Sequence, residues 1–265
     1  MICFPNAKIN LGLQVALKRE DGFHNLRSVF YPVLINDVLE IKKSDRFSLT
    51  LWGNTIPQPT EQNLIVKAWK LLSERYDISP VEVHLIKNIP VGSGLGGGSS
   101  DASFFMKEIL NLFNIEISSK EIIKLTEQVC SDCPFFTVNQ PAYVIGKGNV
   151  IESLEFNLKG YHLALIIPGE TVSTQNAFRL INPKVPQYNL KKLVLTKDFS
   201  QWKERLSNDF ESILSKDLLK IKNQLYDAGA LYASLTGSGS AFYGIFANKP
   251  EKNLFKNHKV IFCQL

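Results

Sequence analysis

The sequence has little that would set it apart from an ordinary globular protein. Its 265 residues include only four cysteines and four histidines, and no group of them has the spacing of a zinc site. No window approaches the roughly 18 uninterrupted apolar residues that a membrane-spanning helix needs. The N-terminal segment lacks the charged and long apolar regions of a signal peptide. These absences exclude structural zinc and a transmembrane protein, and they predict a cytoplasmic location.

Charge of one sign is also scarce in any one place. The net charge is +5, but the densest basic patches, Lys42-Lys43 and Lys191-Lys192, are short. A basic stripe is the usual mark of a nucleic-acid surface, so we predict no nucleic-acid partner. Apolar residues make up 45% and charged residues 21%, which is typical of a soluble domain and excludes a disordered or fibrous chain.

Two of the four cysteines lie in the segment Cys130-Ser131-Asp132-Cys133. We interpret them as buried thiols in a reducing compartment that flank a functional aspartate. A thioredoxin-like redox use of the pair is the alternative.

Strand-like and helix-like segments alternate along the chain, and we expect a domain boundary near residues 150–160. Residues 7–15 alternate apolar and polar side chains as a half-buried strand does. Ser118 with Glu121 forms a capping box that begins a helix. Further strands are predicted at 28–34, 37–41, 47–52, 81–86, 163–167 and 241–246, and further helices at 63–76, 174–180, 199–206 and 213–228.

A glycine-rich loop is the strongest local motif. Five of the seven residues from 92 to 98 are glycine, and the loop leads from a strand into a helix. Backbone N–H groups and the positive end of a helix dipole together form an anion site. A close-packed strand-to-helix turn is the structural alternative, and Asp101 is then an ordinary acid of the first helical turn.

Two other phosphate motifs fit this loop less well. The residues 92–97 satisfy the pattern G-x-G-x-x-G of a dinucleotide-binding unit. That unit needs a second parallel strand after the helix, whereas the next predicted element here is the helix from Ser118. The P-loop pattern fails because Gly98 stands where its lysine belongs.

The segment from Pro90 to Ala102 closely resembles the phosphate loop of the GHMP kinases, whose core is Pro-x-x-x-Gly-Leu-Gly/Ala-Ser/Gly-Ser-Ser. Further segments resemble family motifs in the same order along the chain: 5–11, 21–26, 131–136, 208–211 and 235–241. The resemblance implies a two-domain α+β fold. Residues 1–152 would form an ATP-binding domain like the second domain of ribosomal protein S5, and residues 153–265 a ferredoxin-like substrate-binding domain.

The resemblance also implies a reaction. The γ-phosphate of ATP would be transferred, with Mg²⁺, to the 2-hydroxyl of the methylerythritol unit of a small molecule that carries a cytidine diphosphate group. Ser99 and Ser100 would cap the helix and offer hydroxyls to phosphate or metal, and no acidic metal ligand is predicted near Asp132. The implied ATP-binding residues are Pro90, Gly92, Ser93, Gly94, Leu95, Gly96, Gly97, Gly98, Ser99, Ser100 and Asn63.

Asp132 and Lys8 are the residues that the resemblance makes catalytic. A carboxylate can orient a tertiary hydroxyl and accept its proton during phosphoryl transfer. Lys8 would pair with Asp132 and keep it ionised. Without the resemblance, an aspartate before Cys-Pro is a turn residue and a strand lysine is solvent-facing.

Four residues are implied in acceptor binding: Asn10, Phe23, His24 and Phe178. Phe23, where the family has tyrosine, would stack on the cytosine, and Phe178 would close the other side. His24 would contact the base edge through its backbone, and Asn10 would hydrogen-bond the substrate. A core role for Phe178 and a strand-polar role for Asn10 are the alternatives.

Two other functions remain open at this stage. One is a different GHMP kinase, such as a homoserine or mevalonate kinase, although the segment Asp21-Gly22-Phe23-His24 suits an acceptor with a base. The other is a non-catalytic nucleotide-sensing or RNA-binding protein with the S5-like fold. The presence of both Lys8 and Asp132 favours an enzyme.

Overall fold

The computed structural model describes residues 1–54, 59–169, 173–255 and 258–265. Its strands are β1 (Ile2–Cys3), β2 (Asn6–Lys18), β3 (His24–Asn36), β4 (Val38–Lys43), β5 (Ser48–Gly53), β6 (Val81–Lys87), β7 (Ala142–Gly146), β8 (Val150–Ser153), β9 (His162–Ile167), β10 (Tyr232–Leu235), β11 (Phe242–Phe246) and β12 (Lys259–Gln264). Its α-helices are α1 (Leu64–Arg75), α2 (Gly97–Leu112), α3 (Ser119–Val129), α4 (Cys133–Val138), α5 (Thr174–Leu180), α6 (Leu190–Leu195), α7 (Phe199–Arg205) and α8 (Lys216–Asp227).

The chain divides into two compact units, each made of separate stretches. The first unit contains Met1–Ala7, Ile35–Val91 and Gly96–Gln140. The second contains Lys8–Leu34, Gly92–Leu95 and Pro141–Leu265. The domain division predicted at residue 152 stays a prediction.

The first unit is a four-stranded sheet of order β1-β4-β6-β5 with helices packed on it. β5 and β6 are parallel and α1 connects them, whereas β4 pairs with β6 antiparallel. Its core combines apolar residues of β4 and β6 with those of α1, α2 and α3. Asn63 caps α1, and Ser118 caps α3 by accepting from the Glu121 N–H, as the capping box predicts.

The second unit contains two four-stranded sheets, of order β2-β3-β7-β8 and β10-β11-β9-β12. Its core joins β2, β9, β10 and β11 to α8, and it includes Phe210. The predicted helix 213–228 is shorter than expected. A 3₁₀ turn, Asp209–Ile213, precedes it, and α8 begins after Ser215, whose hydroxyl accepts from the Leu218 N–H.

The prediction that β2 is half-buried is wrong. All ten residues from Asn6 to Val15 are buried. The polar members can be buried because they hydrogen-bond within the protein, and a buried polar group needs such partners. A solvent-facing Lys8 is therefore excluded, since it is only 2% exposed.

The order of elements around the glycine-rich loop bears on the nature of the nucleotide site. β6 leads through the loop into α2, and α3 and α4 follow before the next strand. The predicted β-α-α order is confirmed, and the dinucleotide-binding unit is excluded because it requires β-α-β. Within the described ranges, no helix is both long and apolar enough to cross a membrane.

Candidate active site

The glycine-rich loop adopts backbone conformations that favour glycine. Gly92, Gly94 and Gly96 have φ values of 70°, 80° and 73°, in the left-handed region that side chains disfavour. A Cβ on Gly94 would lie 2.0 Å from the carbonyl oxygen of Thr236. Two glycine motifs far apart in sequence therefore meet backbone to backbone.

Lys8 and Thr236 bind the middle of this loop. The Lys8 ammonium donates to the Gly94 carbonyl at 2.7 Å, and the Lys8 N–H donates to the Leu95 carbonyl at 3.0 Å. The Thr236 hydroxyl also reaches the Gly94 carbonyl, at 3.3 Å. Ser93 accepts the Ala241 N–H at 3.1 Å. The opening strand and the closing glycine motif thus hold residues 93–95.

Asn10 is the centre of a buried polar network in the second unit. Its side-chain oxygen accepts from the Lys8 ammonium at 2.5 Å and from the Gly237 N–H at 2.8 Å. Its amide nitrogen donates to the Ser28 hydroxyl at 2.9 Å. Each of these partners is a protein group, and the predicted contact of Asn10 with substrate stays a prediction. Sequence reasoning missed Thr236 and Ser28 as members of this network.

The helix that follows the loop begins without a side-chain cap. Its N-cap residue is Gly96, and no side chain accepts a capping bond there. The expectation that Ser99 and Ser100 cap the helix is wrong, because they are the third and fourth residues of α2. The Ser100 hydroxyl is fully buried and has no hydrogen-bond partner among the described residues. Among the described residues, the first turn of α2 therefore has a serine hydroxyl without a partner, next to the N–H groups that the start of a helix leaves unpaired within the helix.

A buried ion cluster joins three segments of the first unit. The Lys87 ammonium donates to a carboxylate oxygen of Asp37 and, at 2.6 Å, to one of Asp101. All three side chains are almost fully buried. Burial raises the pKa of Asp101 well above its usual range, more than Lys87 lowers it, and Asp37 raises it further. Burial disfavours the Lys87 ammonium, but Asp101 and Asp37 outweigh it and raise the pKa of Lys87.

Sequence reasoning missed this cluster. The interpretation of Asp101 as an ordinary first-turn acid is wrong, because its carboxyl faces the interior and not solvent. A lysine at the end of a strand, 50 residues after Asp37, carries no local signal of the pairing.

Asn63 has the structural role that its position predicts. It is the N-cap residue of α1, and its side-chain oxygen accepts the Ile65 N–H at 2.9 Å. Its amide nitrogen is not used by that cap. The predicted contact with the adenine stays a prediction.

Asp132 immediately precedes α4, between Cys130 and Cys133. It is the N-cap residue of α4, yet its side chain makes no capping hydrogen bond. The carboxylate is therefore not committed to holding the helix. Its predicted pairing with Lys8 joins residues of different compact units and stays a prediction.

The interpretation of Cys130 and Cys133 as buried thiols is wrong, because they form a disulfide. Cys130 follows the last residue of α3 and Cys133 begins α4, and the tight turn between them leaves the Cα atoms 5.3 Å apart. That separation lies within the range that a disulfide can bridge.

The acceptor residues lie near the turn between β2 and β3. Asp21 accepts the Phe23 N–H at 3.2 Å, and Phe23 is 52% exposed. The Lys147 ammonium lies 5.1 Å from the centre of that ring. The structure thus brings Phe23 together with a cation.

Phe178 packs against the ring of His24. The His24 and Phe178 rings stack with centres 5.4 Å apart and an interplanar angle of 23°. Phe178 also packs edge-on against Phe210 of the core. Burial, and then the charge of Lys18, lower the pKa of His24, so its imidazole is neutral near pH 7. The aromatic sandwich around cytosine stays a prediction.

Among the residues that the structure describes, there is no metal-binding group of three or more histidine, cysteine, aspartate or glutamate side chains. Mg²⁺ is commonly held by one or two protein oxygens together with substrate phosphates. The unpartnered Ser100 hydroxyl suits that kind of binding.

Comparison with known proteins defines the class. Residues 63–140 match the GHMP kinases N terminal domain, and residues 190–258 match the GHMP kinases C terminal domain. The matched regions contain the glycine-rich loop, the first turn of α2, Asp132 and the closing glycine motif. The class is therefore that of small-molecule kinases with an α+β fold.

Full-length relatives narrow the class. The chain is 44% identical over 264 residues to a 4-diphosphocytidyl-2-C-methyl-D-erythritol kinase of Parabacteroides distasonis, with 97% of each chain covered. It is 43% identical over 255 residues to the kinase of that name from Cytophaga hutchinsonii, with 95% of this chain and 94% of the relative covered. The chain belongs to the GHMP kinases, and within them to the 4-diphosphocytidyl-2-C-methyl-D-erythritol kinase family.

Solved structures agree with this assignment. A crystal structure of 4-(cytidine 5'-diphospho)-2C-methyl-D-erythritol kinase matches with a TM-score of 0.82 and 26% identity, covering 99% of this chain and 98% of the other. The mevalonate kinase of Methanococcus jannaschii matches with a TM-score of 0.74 and 16% identity, covering 100% and 98%. The second likeness concerns the fold alone. The predicted α+β GHMP kinase fold is confirmed.

Proposed function

We propose that this chain transfers the γ-phosphate of ATP to the 2-hydroxyl of 4-diphosphocytidyl-2-C-methyl-D-erythritol, in the non-mevalonate route to isoprenoid precursors. The observation that carries the proposal is the glycine-rich loop, whose left-handed glycines lead into a helix that no side chain caps. Kinship with kinases of that name over nearly the whole chain identifies the acceptor.

The nucleotide phosphates would bind at the loop and at the start of α2. The first N–H groups of a helix have no partner within the helix, and its dipole favours an anion there. Because the helix begins at a glycine and has no capping side chain, those N–H groups can face phosphate oxygens. The Ser100 hydroxyl would hold Mg²⁺, which supplies neutralisation of the charge that develops on the transferred phosphoryl group.

Asp132 would act as the general base. The 2-hydroxyl is tertiary and weakly nucleophilic, so a carboxylate that orients it and accepts its proton lowers the barrier. Its freedom from a capping bond leaves both oxygens for this task. Lys8 would keep Asp132 ionised, and its ammonium is already oriented by Asn10 and by the Gly94 carbonyl.

Acceptor selection would lie at the β2–β3 turn. Phe23 presents an exposed ring that can stack on a base. Lys147, which lies against that ring, can approach an acceptor diphosphate by charge attraction. A cytoplasmic location, expected from the sequence, stays a prediction.

An ADP-release assay tests the proposal. The chain is incubated with ATP, Mg²⁺ and one alcohol at a time: 4-diphosphocytidyl-2-C-methyl-D-erythritol, free methylerythritol, mevalonate or homoserine. We expect turnover with the first alone. Equal use of free methylerythritol would contradict the cytidine pocket, and no turnover with any acceptor would favour a non-catalytic protein.

A further inference from the structure

The buried cluster of Asp37, Lys87 and Asp101 lies beside both ends of the glycine-rich loop. Lys87 is the last residue of β6, three residues before Pro90. Asp101 is the fifth residue of α2, the helix into which the loop leads. Asp37 lies between β3 and β4, 50 residues before Lys87, and is therefore not a sequence neighbour of either end of the loop.

Asp37 binds the segment that enters the loop with both of its oxygens. One oxygen accepts the Asn88 N–H at 2.6 Å and the Ile89 N–H at 2.8 Å. The other accepts from the Lys87 ammonium. Three successive residues before the loop are thus fixed by one carboxylate.

Lys87 carries this restraint to the far end of the loop. Its ammonium binds Asp101 at 2.6 Å, and it lies 3.2 Å from the position that a Cβ on Gly97 would take. The first turn of α2 is therefore tied to the lysine by one hydrogen bond, and the space beside Gly97 is too small for a side chain. Asp101 uses only one oxygen, since its other oxygen is buried without a partner among the described residues.

We propose that Asp37, Lys87 and Asp101 form a positioning network that sets the distance between the two ends of the glycine-rich loop and thereby its fit to the nucleotide phosphates. None of the three touches substrate in this role. The inference rests on the proposed function, because it assumes that the loop binds ATP. The proposal adds to the ATP site three residues that act on the nucleotide only by positioning the loop.

The unequal use of the two carboxylates allows a sharp test with two variants of the same shape. In Asp37→Asn the new amide must turn its NH₂ toward a donor in either orientation, because both oxygens of Asp37 accept hydrogen bonds. In Asp101→Asn the amide oxygen can replace the one oxygen that Lys87 uses. The network therefore predicts that Asp37→Asn is impaired more severely than Asp101→Asn.

The measurement is steady-state kinetics with ATP and 4-diphosphocytidyl-2-C-methyl-D-erythritol, together with thermal unfolding. We expect Asp37→Asn to raise the KM for ATP at least about fivefold, the effect of one unsatisfied buried group. The KM for the acceptor should stay within twofold of wild type. Asp101→Asn should raise the KM for ATP less than Asp37→Asn does, because only one oxygen of Asp101 accepts a hydrogen bond.

Ile109→Val provides the control for a merely structural effect. Ile109 is fully buried in the same helix, two turns beyond Asp101, and belongs to the apolar core of the first unit. This variant should lower the melting temperature and leave both KM values unchanged. If Asp37→Asn fails to fold, Lys87→Arg keeps the charge but alters the geometry, and the same selective rise in the KM for ATP is expected.

Three results would overturn the network. They are an unchanged KM for ATP in a folded Asp37→Asn or Lys87→Arg, an equal rise of both KM values, and impairment of Asp101→Asn as severe as that of Asp37→Asn. A wild-type chain that does not turn over ATP with the acceptor would instead contradict the proposed function, so the two failures are distinguishable.

Discussion

Gly94→Ala is the substitution whose effect on the kinase can be worked out most directly. Gly94 has a φ of +80°, and an added Cβ would lie 2.0 Å from the Thr236 carbonyl oxygen and 3.3 Å from that of Gly239. The separation of 2.0 Å from the Thr236 oxygen is far shorter than any real contact of a Cβ atom. Because that oxygen belongs to the backbone, it cannot move aside as a flexible side chain could. The glycine-rich loop or the closing glycine motif must therefore move.

The expected loss has two parts. Left-handed backbone costs an alanine about 1–2 kcal/mol, and relief of the contact adds to that cost. If the loop escapes into another conformation, the apparent affinity for ATP falls by the fraction of chains that remain competent. A cost near 1.4 kcal/mol already corresponds to about tenfold, so the KM for ATP should rise at least about tenfold.

Gly229→Ala is the matched control. Gly229 has a φ of +92°, and nothing lies within 4 Å of an added Cβ. The variant carries the same backbone cost without the contact, so it should lower stability while its KM for ATP remains that of wild type. A Gly94→Ala enzyme with a KM for ATP within twofold of wild type would refute the close approach of the two glycine motifs.

Four other predictions follow from the structure. Asp132→Asn should lower kcat by at least about 10²-fold with normal ATP binding by calorimetry; a loss below tenfold would remove Asp132 as base. Phe23→Ala should lose about 1–3 kcal/mol of acceptor binding, whereas Phe23→Tyr should keep it; equal KM values for the acceptor in both would exclude stacking. Asn63→Ala should lower unfolding free energy by about 1 kcal/mol through loss of the α1 cap, and Asn63→Ser should restore it in denaturant titrations. Because burial lowers the pKa of His24 below 6.5, the folded state binds fewer protons there than the unfolded state. Stability should therefore fall as the pH drops below that value, and the thermal unfolding of His24→Asn should show a weaker acid dependence.

Local features of this kinase were readable from the sequence because their causes are local. The cap of α3 depends on Ser118 and Glu121, which are three residues apart. The glycine-rich loop can be predicted from its composition alone, and the helix α2 begins within it. The order of strand, helix and helix around it then excluded the dinucleotide-binding unit.

Other features depend on partners that sequence spacing does not reveal. Lys87 meets Asp37 from 50 residues away, and Asn10 meets Gly237 from 227 residues away. The alternating pattern predicts that one face of β2 is exposed to solvent. Its polar residues are buried instead, because groups far away in the sequence hydrogen-bond to them. The disulfide of Cys130 depended on the backbone turn that brings the two Cα atoms together. In each case the contacts between residues distant in sequence, or the backbone geometry, determined a feature that the local sequence pattern did not.

The separation between Asn10 and Gly237 also constrains how the chain can be made. The first unit is complete once Gln140 has been synthesised, whereas the second unit needs residues up to its last strand. Translation adds about 5–20 residues per second, so the 227 residues between these partners take roughly 10–45 s. Throughout that interval the buried strand β2 lacks the groups of Thr236 and Gly237 that bind Asn10. A nascent chain therefore carries the strand of Lys8 and Asn10 without its partner Gly237 until translation is almost finished.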